Sequence, residues 1–181
     1  MKLQDDDFSL FGLPARFALE RSELDGRWKQ LQREAHPDRF AAQGSAAQRV
    51  AMQWSVRINE AYQRLRDPLR RAAYLCELRG QAEQAERNTA MPPAFLMQQM
   101  QWREALEEAT DAATIQALHD EVRAAHAQGL HACARLLDDQ DDAASAAGQV
   151  RALMFIERFL REIEDRLDAE DARMASRSGG Q

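Results

Sequence analysis

Glycine and proline are scarce in this chain, 8 and 5 among 181 residues, and β-branched residues are few. Pleated strands and tight reversals draw on those residue types, so a sheet-rich fold with many turns is excluded. Ala, Leu, Gln, Glu and Arg dominate instead, and they lose little freedom in a helix, so the expected fold is all-α. Only two cysteines occur, Cys76 and Cys133, with no CxxC spacing. They cannot build a disulfide framework or the four-thiolate set of an all-cysteine iron–sulfur site, and they read as two buried thiols in a reducing cytoplasm. No apolar run approaches the roughly 18 residues of a membrane span. Residues Met1–Asp7 are acidic and lack the apolar stretch of a secretion signal. The net charge of −6 argues against general nucleic-acid binding.

Chemistry is equally thin. There is no glycine-rich phosphate loop, so nucleotide binding is not expected. The acidic runs Asp5-Asp6-Asp7 and Asp138 to Asp142 lack the twelve-residue calcium pattern and read as a solvated end and a solvated loop. His119, His126, His131 and Cys133 do not gather on one helical face and match no zinc spacing, so neither metal nor cofactor is expected.

What the sequence does hold is helical periodicity. A short apolar stretch, Phe8 to Pro14, precedes a helix starting at Ser22, whose Leu24, Trp28, Leu31 and Ala35 fall on one face. Pro37 ends that helix, because the residue before a proline is pushed out of the α region. After a polar loop to Gly44, a second helix spans about Ser45 to Arg66, with Val50, Trp54, Ile58, Ala61 and Leu65 on one face. A short helical piece follows from Leu69 to Leu78. The spacing predicts a first domain over 1–78, a polar linker over 79–90, a three-helix bundle over 91–172 and a disordered tail over 173–181. In the bundle, Pro92-Pro93 open a helix to about Ala109, and Thr110 or Asp111 caps another to about Leu137. A third helix, to about Ala169, carries Leu153, Ile156, Leu160, Ile163 and Leu167 as a coiled-coil seam. Short connections make the three antiparallel neighbours.

The motif that points to function is His36-Pro37-Asp38 between two amphipathic helices, followed by Asn59-Glu60-Ala61-Tyr62 and Asp67-Pro68. In that order these elements resemble a J-domain over about residues 5–75. The resemblance implies an N-terminal helical hairpin that stimulates the ATPase of a DnaK-type chaperone. The residue types suit that role. Pro37 fixes its own φ, leaving His36 and Asp38 presented as donor and acceptor. Arg27, Lys29, Arg33 and Arg39 form a basic surface on an acidic protein, suited to an acidic groove. Ala35 stands where the family often has a bulky aromatic, and Arg39 where Lys is common.

A narrower resemblance is to the HscB co-chaperone family of iron–sulfur cluster assembly. It rests on Leu10-Phe11-Gly12-Leu13-Pro14-Ala15-Arg16-Phe17, His36 to Phe40, Pro68 with Arg71 to Leu75, Ala94-Phe95-Leu96-Met97 and Arg103-Glu104. It implies two partners, the specialised chaperone HscA and an IscU-type scaffold delivered to it by the bundle. The family's scaffold-binding positions fall here on Leu96, Met97, Met100, Gln101, Glu104, Glu108 and Phe155, with Gln101 in place of the usual acid. The helical wheel agrees. At roughly 100° per residue, Phe95, Trp102, Ala105, Leu106 and Ala109 share a core stripe. Met97, Met100, Gln101, Glu104 and Glu108 lie near the opposite face, flanked by Leu96. Phe155 sits roughly 200° from Leu153, off the seam. Two other readings are a J-domain protein whose bundle binds a different client, and an enzyme using His36 and Asp38 as acid and base. The exposed loop argues against the second.

Overall fold

The computed structural model describes residues 5–81, 91 and 93–178, and all regular structure among them is helical. Helix α1 (Asp7–Phe11) is a short piece capped by Asp6, which accepts from the Ser9 N–H at 2.9 Å. Gly12 closes it at φ +64°, a left-handed conformation that penalises any residue with a Cβ. α2 (Arg21–Glu34) and α3 (Ser45–Arg66) form an antiparallel hairpin joined by a 3-10 segment, Pro37–Gln43. The expected stripe of α2 faces inward: Leu24 and Leu31 are buried, Trp28 and Ala35 partly covered. On α3, Ile58, Ala61 and Leu65 are buried, but Val50 is half exposed and Trp54 only partly covered. The apolar face of α3 outruns its cover, because α2 ends at Glu34.

α4 (Pro68–Leu78) starts with Pro68 in the first turn, capped by Asp67, which accepts from the Arg70 N–H at 2.9 Å. It buries Leu69, Ala72, Tyr74, Leu75 and Cys76 between α3 and the remaining helices. Those are α5 (Pro93–Glu108), α6 (Ala112–Ala134) and α7 (Ala143–Ser178). Asp111 caps α6, accepting from the Thr114 N–H at 2.8 Å. A π-helical turn, Arg135–Asp139, lengthens α6, and Asp142 accepts from the Ser145 N–H at 2.9 Å at the head of α7. Gly129 lets α6 and α7 approach closely, since a Cβ there would lie 2.7 Å from Leu153 Cδ2. The α7 seam is buried at Leu153, Ile156 and Ile163 and partly covered at Leu160 and Leu167. Phe159, off that series, is also buried and stacks on Trp102 of α5 at 6.2 Å. One continuous apolar core runs from Phe8 to Ile163, with α4 as the shared element.

Three expectations need correcting. The tail expected over 173–181 is helical as far as Ser178. Glu170 to Arg173 tolerate helix well, and Arg173 pairs with Glu170 one turn back at 2.7 Å. Residues 179–181, and positions 82–90 of the linker expected over 79–90, lie outside the described residues. The acidic run Asp5-Asp6-Asp7 is not a solvated end: Asp7 is completely buried, with Arg57 Nη2 at 2.6 Å and Arg64 Nη1 at 3.1 Å. The guanidinium groups approach outside hydrogen-bond geometry, so this pairing is ionic. The Asp7 amide donates to the Tyr74 hydroxyl at 3.0 Å. Nor is Asp138 to Asp142 merely a loop in water. Asp138 accepts from the Phe17 and Ala18 amides at 2.7 Å each, and Asp141 pairs with Arg79 at 3.1 Å.

Candidate functional site

His36 leaves α2 in an extended conformation, φ −65° and ψ 125°, as a residue before proline must. Its Nδ1 accepts from the Asp38 N–H at 3.3 Å. In the neutral ring the proton then sits on Nε2, which is left to donate outward. The Asp38 carboxylate lies 3.6 Å from the same Nδ1 and is almost fully exposed, and the imidazole is more than half exposed. A donor and an acceptor therefore stand together on a turn that Pro37 stiffens.

The turn is tied to both helices of the hairpin. Arg39 Nη1 donates to the Arg33 carbonyl at 3.2 Å, placing a cation at the C-terminus of α2 where the helix dipole favours one. Ser55 Oγ donates to the Ala35 carbonyl at 3.1 Å. Below it, Asn59 Oδ1 accepts from Gln32 Nε2 at 2.7 Å and from Trp28 Nε1 at 3.0 Å. Further down, Tyr62 stacks on Trp28 at 4.7 Å and donates to Asp25 at 2.8 Å. That bond, with Arg21, holds the Asp25 carboxyl below its ordinary range despite some desolvation. Arg27, Lys29, Arg33 and Arg39 are all exposed on or beside the outer face of α2. Arg27 approaches Glu23 at 3.8 Å.

Above the Asn59 ladder the hairpin opens into a groove of about 510 Å³ lined by Leu31, Ala35, Phe40, Val50, Trp54 and Ile58. The methyl of Ala35 leaves this space unfilled.

A second surface lies on α5. Trp102, Leu106 and Ala109 are buried and Phe95 and Ala105 partly covered, as the core stripe requires. Leu96, Met97 and Met100 are 46, 65 and 73% exposed, beside exposed Gln101, Glu104 and Glu108. Those six residues share one outward face. Phe155 is placed differently. It is half buried on α7, edge-on to Phe95 at 5.9 Å and stacked on Phe159 at 6.0 Å, with the Arg103 guanidinium 5.7 Å from its ring. It borders the face and also supports it.

Comparison with known proteins settles the kinship. Residues 91–164 match a family model described as the HSCB C-terminal oligomerisation domain. The chain is 53% identical over 160 residues to the co-chaperone protein HscB homolog of Bordetella petrii, covering 88% of this chain and 94% of that one. It is 50% identical over 174 residues to the homolog from Cupriavidus taiwanensis, covering 92% and 96%. The chain belongs to the HscB co-chaperone family. Among solved structures it is similar to chaperone HscB from Vibrio cholerae, with TM-score 0.77 and 37% identity over 91% of this chain and 99% of that one. Human co-chaperone protein HscB matches with TM-score 0.81 and 25% identity, over 92% and 84%.

Some features of this HscB-family chain escape sequence reasoning. The Asn59 ladder is visible only once α2 faces α3, although a polar residue beside the apolar stripe of an interior helix was a signal. Met52, Val56 and Met154 are apolar and roughly half exposed, outside every predicted stripe. The histidines are separated: His119 faces Glu164 at 3.5 Å, His126 faces Glu157 at 3.3 Å, and His131 is exposed. Both cysteines are buried free thiols. Burial pushes the Cys76 thiol up to about 11 and the Cys133 thiol up to about 12. No helix among the described residues is long and apolar enough to cross a membrane.

Proposed function

We propose that this HscB-family chain is a cytoplasmic two-partner adaptor with no chemistry of its own. Residues 1–78 act as the J-domain. Its His36-Pro37-Asp38 turn, with Arg27, Lys29, Arg33 and Arg39, engages a DnaK-type ATPase of the HscA kind. The bundle over 91–172 holds an IscU-type iron–sulfur scaffold through Leu96, Met97, Met100, Gln101, Glu104, Glu108 and Phe155. The observation that carries the reading is the presentation of His36 and Asp38: both are exposed, the Asp38 amide orients the imidazole, and the Asp38 carboxylate lies 3.6 Å from the ring. Surface cations steer the encounter, while the turn contacts one conformation of the partner better than the other and shifts its population. Holding the scaffold on the same chain raises its effective concentration at the chaperone.

The test is the steady-state ATPase rate of the specialised chaperone with this protein, with and without scaffold. Stimulation that rises further with scaffold and disappears in His36→Gln, at unchanged thermal stability, is the expected result. Stimulation without scaffold synergy removes the IscU-type client, and absence of stimulation removes the J-domain role. Met100→Asp, at an exposed position, is expected to weaken scaffold binding about tenfold in calorimetric titration while leaving scaffold-free stimulation intact.

A further inference from the structure

The α2–α3 hairpin and the α5–α7 bundle meet through α4 along an apolar surface, and apolar contact is non-directional. Something directional must set the angle at which α2 leaves that surface. Asp138 is placed to do so. It lies in the π-helical turn after α6, and its two carboxylate oxygens are divided between two successive amides of the other half: Oδ1 takes Phe17 N–H and Oδ2 takes Ala18 N–H, both at 2.7 Å. These amides belong to the extended segment between α1 and α2, where no helical carbonyl serves them. The same turn is tied a second time, by Arg79, which donates to the Leu137 carbonyl at 2.6 Å and pairs with Asp141. A buried cation completes the seam. Arg71 lies with its guanidinium 5.1 Å from the Phe17 ring and donates to the Leu65 carbonyl. Burial lowers its pKa, and the charges of Asp67 and Asp138 oppose that.

We infer that Asp138 is a positioning residue that fixes the direction of α2, and hence the place of the His36-Pro37-Asp38 turn, relative to the exposed face of α5. The anchored amides sit just before Arg21, where α2 begins, and the 14-residue helix leads from there to the turn. Over that length, about 21 Å at 1.5 Å per residue, a tilt of about 10° at the base displaces the turn by about 4 Å. That is enough to spoil simultaneous engagement of two partners, since geometry that forbids it cancels the gain of linking them. The inference rests on the two-partner reading above, and its test separates the two.

Spin labels at Gln43→Cys in the 3-10 segment and Gln128→Cys on α6, both exposed and outside the residues assigned to either partner, report the distance between turn and bundle in the full-length protein. Asp138→Ala is expected to broaden that distance distribution, with helicity and scaffold-free ATPase stimulation at wild-type level. The scaffold concentration for half-maximal synergy is expected to rise about tenfold. Asp138→Asn, which keeps one acceptor oxygen, is expected to fall between. A distribution as narrow as wild type, or a broadened one with synergy intact, overturns the inference. If wild type itself shows no scaffold synergy, the two-partner reading fails and the distance distribution alone decides the role of Asp138.

Discussion

Asp7 and His36 show how differently two polar side chains can be used in one small protein. His36 is exposed, and its ring is held by the amide of Asp38 two residues on. Asp7 is wholly buried and faces two arginines from α3, both of which still reach water. Asp7→Asn removes the charge that the arginines were brought in to meet. Because Arg57 and Arg64 remain partly hydrated, the loss is expected at the low end for a broken buried pair, about 3 kcal/mol, read as a fall in the urea midpoint at unchanged slope. Nothing in three consecutive aspartates distinguishes the second, a helix cap, from the third, a buried counter-ion. That difference is created by Arg57 and Arg64 lying two turns apart on a helix distant in sequence. The His36-Pro37-Asp38 turn, by contrast, was legible, since its geometry is local: a proline, the residue before it and the amide two residues on.

At the scale of helices, the caps and the close approach of α6 to α7 govern stability. The Thr114 amide and hydroxyl hold the Asp111 carboxyl below the usual carboxylate range, and Ser145 does the same for Asp142. A carboxyl whose folded pKa lies below its unfolded one stabilises fully above the unfolded value and loses that contribution as pH falls through the folded one. Stability is therefore expected to decline on acidification below about pH 4. Asp111→Asn, which keeps an acceptor but does not titrate, is expected to flatten part of that decline in chemical-denaturation profiles. Gly129→Ala tests the close approach. Its Cβ would meet Leu153, which is fully buried and cannot swing aside, so overpacking of about 2 kcal/mol outweighs the gain of about 1 kcal/mol in helix propensity. A lower melting temperature is expected. Helix positions and most inward stripes were readable because periodicity is a property of each segment alone. The exposure of Val50 was not, because it depends on where the opposite helix stops.

For the molecule as a whole, the continuous core is expected to make its two halves open together. Cys76 on α4 and Cys133 on α6 lie within that core. With the Cys76 thiol at about 11, roughly a thousandth is thiolate at pH 8. Alkylation of both thiols is expected to be negligible in the native protein and to track global unfolding in urea. Labelling of Cys76 well before the helical signal falls would show that the halves part first. The sequence pattern indicated a helical-hairpin domain over 1–78, a polar linker over 79–90 and a three-helix bundle over 91–172. It could not indicate that their contact is also polar, because the Asp138 pairing joins residues about 120 positions apart.

The groove beneath Ala35 gives the hairpin unequal ends. Around Tyr62, Trp28 and Asp25 the two helices are clamped, whereas above Asn59 the first turns of α3 face open space. Mechanically this is a cantilever, stiff at its root and more compliant along the first turns of α3. Amides from about 45 to 55 are expected to exchange with solvent faster than those from 58 to 66. A load applied at the tip by a binding partner would then bend the loosely covered turns of α3 and leave the shared core unstrained.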